Sequence, residues 1–259
     1  MESIFCKFLL KERKSKFSIN IDEDKIKKID LYFNKILIII YFIMVKSWFI
    51  IEGNIGSGKT TLINKLKENN DFEVIVEPVD VWLSIKGDSD KNLLGLFYDD
   101  PHRYSYLFQT MVFKTRLQSL DKPQEKDIRF SERSIWTDKY VFGKSCIESG
   151  KMNKLEANCY HTWFDWLEEK FNPKPDGIIY VKTSPEKCLE RIKVRSRSEE
   201  DSIPLEYLKE LDDRHNSWLE NWTKTPVLTI DNEEDDKWNS ILKQVNSFID
   251  KNNENIEHN

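Results

Sequence analysis

The stretch Trp48-Phe-Ile-Ile-Glu-Gly-Asn-Ile-Gly-Ser-Gly-Lys-Thr-Thr61 limits most tightly what this chain can fold into. It opens as an apolar run, breaks into glycines, and resumes as Thr61-Leu-Ile-Asn-Lys-Leu-Lys67, whose apolar residues fall at helical spacing. Its middle satisfies G-x-x-x-x-G-K-[ST], with Gly53, Gly58, Lys59 and Thr60 in the fixed places. The pattern requires a strand that feeds a glycine loop and then a helix, and both flanks are present. Glycine tolerates φ > 0 and close approach, so the N–H groups of Gly53, Asn54, Ile55, Gly56, Ser57 and Gly58 can converge on phosphate oxygens at a helix N-terminus. Lys59 adds a cation toward the β- and γ-phosphates, and the Thr60 hydroxyl can ligate Mg²⁺. A glycine turn that binds nothing would account for neither the filled positions nor the flanks. The sequence predicts a nucleoside-triphosphate site.

Downstream, strands alternate with helices. Phe72-Glu-Val-Ile-Val-Glu-Pro78 reads as a short buried strand that ends on Glu77 and is stopped by proline. A loop carrying Trp82 and Gly87 leads to Leu93–Tyr98, and Asp100-Pro101 opens a long helix. On it Gln109, Val112, Phe113 and Arg116 share one face. Ile128–Ser134 is a third strand that ends on the charged pair Glu132 and Arg133, followed by a helix with Asp138 and Phe142. Tyr160–Phe171 is an aromatic-rich helix and Asp176–Lys182 a fourth strand. Pro185 starts a helix through Arg191 and Arg195, Pro226–Asp231 is a fifth strand, and the closing helix runs from Asp236 to Lys251. This order predicts an α/β fold, a parallel sheet with helices on both faces, and ligands beyond the carboxyl ends of its strands. Glu77, Glu132 and Arg133 fall there.

A net charge of −5 argues against a nucleic-acid partner. Cys6, Cys146, Cys159 and Cys188 form no C-x-x-C, so neither a zinc site nor a secreted disulfide framework is expected; the reading is a reducing, cytoplasmic compartment. The apolar run Ile36–Val45 is too short to span a bilayer, so no stable membrane insertion is expected. Acidic residues before it do not suit a mitochondrial transit peptide. Residues 1–44 are read as an N-terminal extension, with Met44 as a possible translation start and a membrane-associating segment as the alternative. Residues 45–251 are read as one domain, and 252–259 as a polar tail that frays.

Several groups carry chemistry of their own. Glu77, at a strand end, could take the proton from an attacking hydroxyl if burial tunes its pKa. Glu132 could hold Mg²⁺ with Thr60, while Arg133 neutralises charge on a transferred phosphoryl group. Gln109 offers one acceptor and two donors to a base edge, with Phe142 and Trp82 as aromatic walls. Arg116 is costly to bury alone, and Asp138 is its natural partner.

From Ser47 to the fifth strand the sequence resembles the deoxyribonucleoside kinases. The resemblance is carried by Glu52-Gly-Asn-Ile-Gly-Ser-Gly-Lys-Thr60, Glu77-Pro-Val-x-x-Trp82, Phe108-Gln109, Glu132-Arg-Ser134 and Arg191-x-x-x-Arg-x-Arg-x-Glu-Glu200, in that order. It implies a P-loop NTPase-type three-layer fold with a five-stranded parallel sheet and an arginine-rich lid, in which Arg191, Arg195 and Arg197 close over the triphosphate. It further implies ATP and Mg²⁺, a deoxynucleoside acceptor phosphorylated at its 5′-hydroxyl, and a homodimer. Glu77 matches the base, although Glu132 is sometimes given that role; a metal-held carboxylate is the weaker base, which favours Glu77. Glu200 and Tyr98 match partners of the sugar 3′-hydroxyl. Arg116 with Asp138 matches the branch that accepts deoxycytidine and purine deoxynucleosides, whereas the thymidine-preferring branch is apolar or small there. The acidic stretch Asp231–Asp236 falls where the family's donor-base loop lies.

Rival readings fit less well. A GTPase needs Asn-Lys-x-Asp, and Asn64-Lys-Leu-Lys67 lacks the aspartate. A motor ATPase needs an apolar run ending in Asp-Glu. A nucleoside monophosphate kinase would need further cations for the acceptor's phosphate. A relic binding protein would not keep every motif.

Overall fold

The computed structural model describes residues 46–87, 90–171 and 174–257. The N-terminal extension and its apolar run therefore lie outside the described residues. Among the described residues, no helix is long and apolar enough to cross a membrane.

Five strands form one parallel sheet in the order β2-β3-β1-β4-β5. They are β1 (Ser47–Glu52), β2 (Phe72–Ile75), β3 (Ile128–Glu132), β4 (Gly177–Lys182) and β5 (Val227–Asp231). β1 lies in the centre, with Ile51 opposite both Glu132 of β3 and Ile179 of β4. The strand order reverses at β1, so a crevice opens at its carboxyl end, where the glycine loop begins.

Alternation along β1 sorts the core into two layers. Phe49 and Ile51 face Leu62, Ile63 and Leu66 of α1 (Lys59–Lys67) and Ile241, Val245 and Ile249 of the final helix, α10 (Trp238–Glu257). Ile50 faces the other way and joins Ile178, Tyr180 and the helices packed on the other face of the sheet. Those are α2 (Val79–Ser84), α3 (Leu93–Asp99), α4 (Pro101–Leu120), α5 (Ile135–Thr137), α6 (Lys144–Glu148), α7 (Lys154–Phe171), α8 (Pro185–Arg195) and α9 (Leu205–Glu220). Between α5 and α6 the chain continues as a π-helical segment, Asp138–Gly143.

Four local expectations change. β2 stops at Ile75 and is only half-buried, because it is an edge strand paired on one side; Glu77 lies beyond its end. β3 ends at Glu132, because Arg133 turns to φ 61°. The loop around Trp82 is a short helix, with Trp82 buried. Residues 252–257 continue the final helix instead of fraying: α10 runs to Glu257, the Asn252 side chain is buried, and Asn253 accepts from Ser47 Oγ at 2.9 Å.

Candidate active site

The loop between β1 and α1 takes the shape its glycines permit. Gly53, Gly56 and Gly58 have φ of 148°, 78° and 96°, values that side-chain-bearing residues seldom adopt. Asn54 and Ser57 lie beneath the loop, where Asn54 Nδ2 donates to the Leu208 carbonyl of α9 at 2.8 Å. The Ser57 carbonyl accepts from Asn232 Nδ2 at 2.8 Å, which ties the loop to the segment after β5. Lys59 is buried with its Nζ 2.6 Å from the Asn54 carbonyl; burial pulls its pKa down to about 8.

Beyond the loop lies an open cavity of about 790 Å³. Apart from Gly53, Asn54 and Ser57, every site residue expected from the sequence lines it. At its phosphate end the Thr60 hydroxyl donates to Glu132 Oε1 at 3.1 Å, and the Glu77 N–H points to Glu132 Oε2 at 3.4 Å. A hydroxyl beside a carboxylate suits Mg²⁺, which takes few protein oxygens and keeps water or phosphate as its other ligands. Among the described residues, no group of three or more acidic, His or Cys side chains could hold a metal by itself.

At the centre, three strand ends meet. Glu77 accepts from Arg133 Nη1 at 3.1 Å through both oxygens and from Arg116 Nη2 at 3.1 Å. The expectation that burial tunes Glu77 toward a stronger base is corrected here. Burial does push its pKa up, but Arg133, Arg116 and Lys59 outweigh it and hold the carboxyl well below the usual range. The Arg133 guanidinium also lies over the Phe142 ring, 4.7 Å from its centroid.

Toward the base end, Arg116 and Asp138 form the expected buried pair, with Nε–Oδ2 at 2.9 Å and Nη2–Oδ1 at 3.1 Å. Burial raises the Asp138 pKa, and Arg116 limits the rise. Arg116 Nη1 donates further to the Glu132 carbonyl at 3.0 Å, so one guanidinium touches Asp138, Glu77 and the end of β3. The π-helical segment places Asp138 toward Arg116 and Phe142 under Arg133. Its last residue must be small, since a Cβ on Gly143 would sit 2.4 Å from the buried Tyr160 hydroxyl. Gln109 is buried with its Oε1 unpartnered. Trp82 is a fixed wall: its indole donates to Thr115 Oγ1 at 3.0 Å and its ring meets Phe108 edge-on.

The arginines expected to form a lid are held by carboxylates. Arg191 bonds Asp235 at 2.6 Å and the Asn232 carbonyl at 2.9 Å. Arg195 and Arg197 both bond Glu200, the latter at 2.7 Å. Tyr98 lines the same wall, its pKa raised by burial and then by Glu200.

Three features escape the sequence reading. The helix α9 backs the glycine loop and buries His215 against Tyr180, 6.0 Å between parallel rings. Trp238 reaches the cavity beside Gly58, and the Trp after the acidic stretch was the available signal. Glu52, the last residue of β1, is completely buried, and burial pushes its pKa up to about 7. It accepts from Ser134 Oγ at 2.8 Å and Thr137 Oγ1 at 2.5 Å, partners that sequence distance conceals.

A parallel sheet with a glycine loop at its switch point, facing paired acids and arginines across one cavity, defines a P-loop-type phosphotransferase fold. The family model described as "Deoxynucleoside kinase" matches residues 49–250. Deoxycytidine kinase of Mus musculus is 38% identical over 232 residues, covering 77% of this chain and 89% of its own. The mitochondrial deoxyguanosine kinase of Xenopus laevis is 37% identical over 233 residues (77% and 88%), and the mitochondrial thymidine kinase 2 of Homo sapiens 39% over 190 (72% and 71%). The chain belongs to the deoxynucleoside kinase family, and it is an enzyme of nucleotide salvage.

Proposed function

We propose that the enzyme transfers the γ-phosphoryl group of ATP to the 5′-hydroxyl of deoxycytidine or a purine deoxynucleoside. The observation that carries this reading is the buried Arg116–Asp138 pair, set in the same cavity as the glycine loop. A charged pair there presents donors and acceptors to an amino-bearing base edge, and Gln109 supplies a further unpartnered acceptor. The relatives named for deoxycytidine and deoxyguanosine agree with it.

The glycine-loop amides and Lys59 would cradle the phosphates. Thr60 and Glu132 would hold Mg²⁺, which would supply charge neutralisation to the triphosphate. Glu77 stays ionised and aligns the 5′-hydroxyl, taking its proton late, as a loose transition state allows. Arg133 balances Glu77 and the transferred group. Arg191, Arg195 and Arg197 would exchange their carboxylate partners for the triphosphate as the lid closes. Glu200 and Tyr98 would then receive the sugar 3′-hydroxyl.

Specificity constants for the four deoxynucleosides and their monophosphates with Mg²⁺-ATP test the reading. Preference for deoxycytidine, deoxyadenosine or deoxyguanosine is expected. Preference for thymidine, or for any monophosphate, would overturn it.

The assembly we propose is a homodimer through α4 and α7. Trp163, Trp166 and Phe171 are each more than two-fifths exposed and line a groove of about 490 Å³ between these helices, and Leu107 of α4 is exposed to the same degree. Such an apolar face on a monomer is unusual, and a two-fold contact would cover both copies at once. Light scattering should give a dimer that Trp163→Glu with Trp166→Glu converts to monomer; a wild-type monomer would sink it. A cytoplasmic setting completes the proposal, resting on the cysteine pattern, and cell fractionation tests it.

A further inference from the structure

Glu52 is a buried acid that the chemistry above leaves without a task, and it does not line the cavity. One of its oxygens receives two hydroxyl hydrogen bonds, and the other has no partner among the described residues. We propose that Glu52 is a positioning residue for Arg133: it clamps the Ser134–Thr137 turn to β1, and so fixes the arginine between them.

Arg133 has φ 61°, a left-handed conformation that strains a side-chain-bearing residue and persists only when its surroundings impose it. Two anchors to neighbouring residues of β1 do so. On one side the Arg133 N–H donates to the Ile51 carbonyl at 2.9 Å. On the other, Ser134 and Thr137 donate their hydroxyl protons to Glu52. Both hydroxyl oxygens are also in use: Ser134 Oγ accepts from the Thr137 N–H at 3.4 Å, and Thr137 Oγ1 from the Ser134 N–H at 3.1 Å. This reciprocal cap leaves each hydroxyl with one proton to place, and Glu52 takes both.

An apolar side chain of similar size would fill the space at less desolvation cost, but it could not fix two hydroxyls. The clamp also reaches the next residue of the helix, because the Asp138 N–H points to the Ser134 carbonyl at 3.4 Å. Arg133 and Asp138, which both line the cavity, thus share one fixed point outside it.

The inference rests on Arg133 acting in the phosphoryl transfer proposed above, and a mutant cycle tests it separately. Glu52→Leu should lower kcat by about 10- to 100-fold, the scale expected for a small misplacement of a catalytic group, with KM for ATP little changed. Glu52→Gln, whose carbonyl oxygen can accept both hydroxyls, should restore most of the turnover. In an Arg133→Lys background, Glu52→Leu should cost almost nothing further, because the group it serves is gone. Multiplying losses in that background, or wild-type kcat in Glu52→Leu, would overturn the proposal. Where Glu52→Leu does not fold, Thr137→Val removes one donor and enters the same cycle with the same two outcomes. A wild-type enzyme inactive on every deoxynucleoside would instead sink the proposed function.

Discussion

Glu52 and Glu77 stand near the carboxyl ends of β1 and β2, Glu52 fully buried and the Glu77 side chain only 11% exposed, yet their surroundings drive them in opposite directions. Around Glu52 there are two hydroxyls and no cation in contact, so burial prevails and its pKa climbs to about 7. Around Glu77 two guanidiniums are in contact, and burial loses. Depth alone therefore says little about an acid; the charge of its neighbours decides. One carboxylate is thus held firmly ionised against two guanidiniums, while the other, bonded only by hydroxyls, leans toward its neutral form.

The sharpest way to break this contrast is Glu77→Gln. It should lower kcat by about 10²- to 10⁴-fold while KM for the nucleoside changes little, since a proton acceptor is lost and a hydrogen-bonding shape is kept. Near-normal turnover would move the role of base to Glu132.

Removing the cation that Glu77 shares with Asp138 comes next. Arg116→Met strands a buried carboxylate and should cost about 3–5 kcal/mol in urea unfolding. Arg116→Met with Asp138→Ala removes both charges, so it should be more stable than the single variant and shift activity toward thymidine. A double variant no more stable than the single one would mean that the pair does not act as a unit.

The smallest effect separates the two acids by pH. A folded-state pKa raised to about 7 means that the folded chain holds a proton at Glu52 that the unfolded chain has released. Its contribution is full below about pH 4.5 and is lost as pH rises to about 7, at most ~1.4 kcal/mol per unit. Glu52→Gln should remove that slope. Glu77, with a depressed pKa, tilts stability the other way, and only below about pH 4.5. A wild-type unfolding curve over pH 4.5–7 parallel to that of Glu52→Gln would contradict the contrast.

The phosphate end of the cavity was legible because its parts are contiguous: loop, lysine and threonine arrive in one motif, and their backbone does the work. The parallel sheet was legible from the alternation of strands with helices, whereas its spatial order, with β1 in the centre, was not. Arg116 and Asp138 could be paired from the cost of burying a guanidinium alone. What stayed hidden depends on contacts between distant segments. The charge-polar helix α9 carries its function in a backbone carbonyl, that of Leu208, which has no signature in residue type. The depression of the Glu77 pKa needs the geometry of two arginines, and the Glu52 clamp needs β1 and α5 side by side. The final helix ran past its expected end because Asn252 and Asn253, polar by composition, find partners at Phe248 and Ser47.

The central place of β1 has a consequence for synthesis. Its neighbours are made much later: Ser47 must wait for Ile128, and Phe49 for Gly177. A chain emerging from the ribosome carries Phe49, Ile50 and Ile51 as a sticky ribbon with no sheet to join, a natural client for a chaperone. Protease digestion of stalled nascent chains should find that ribbon open until β4 has cleared the exit tunnel, and closed soon after.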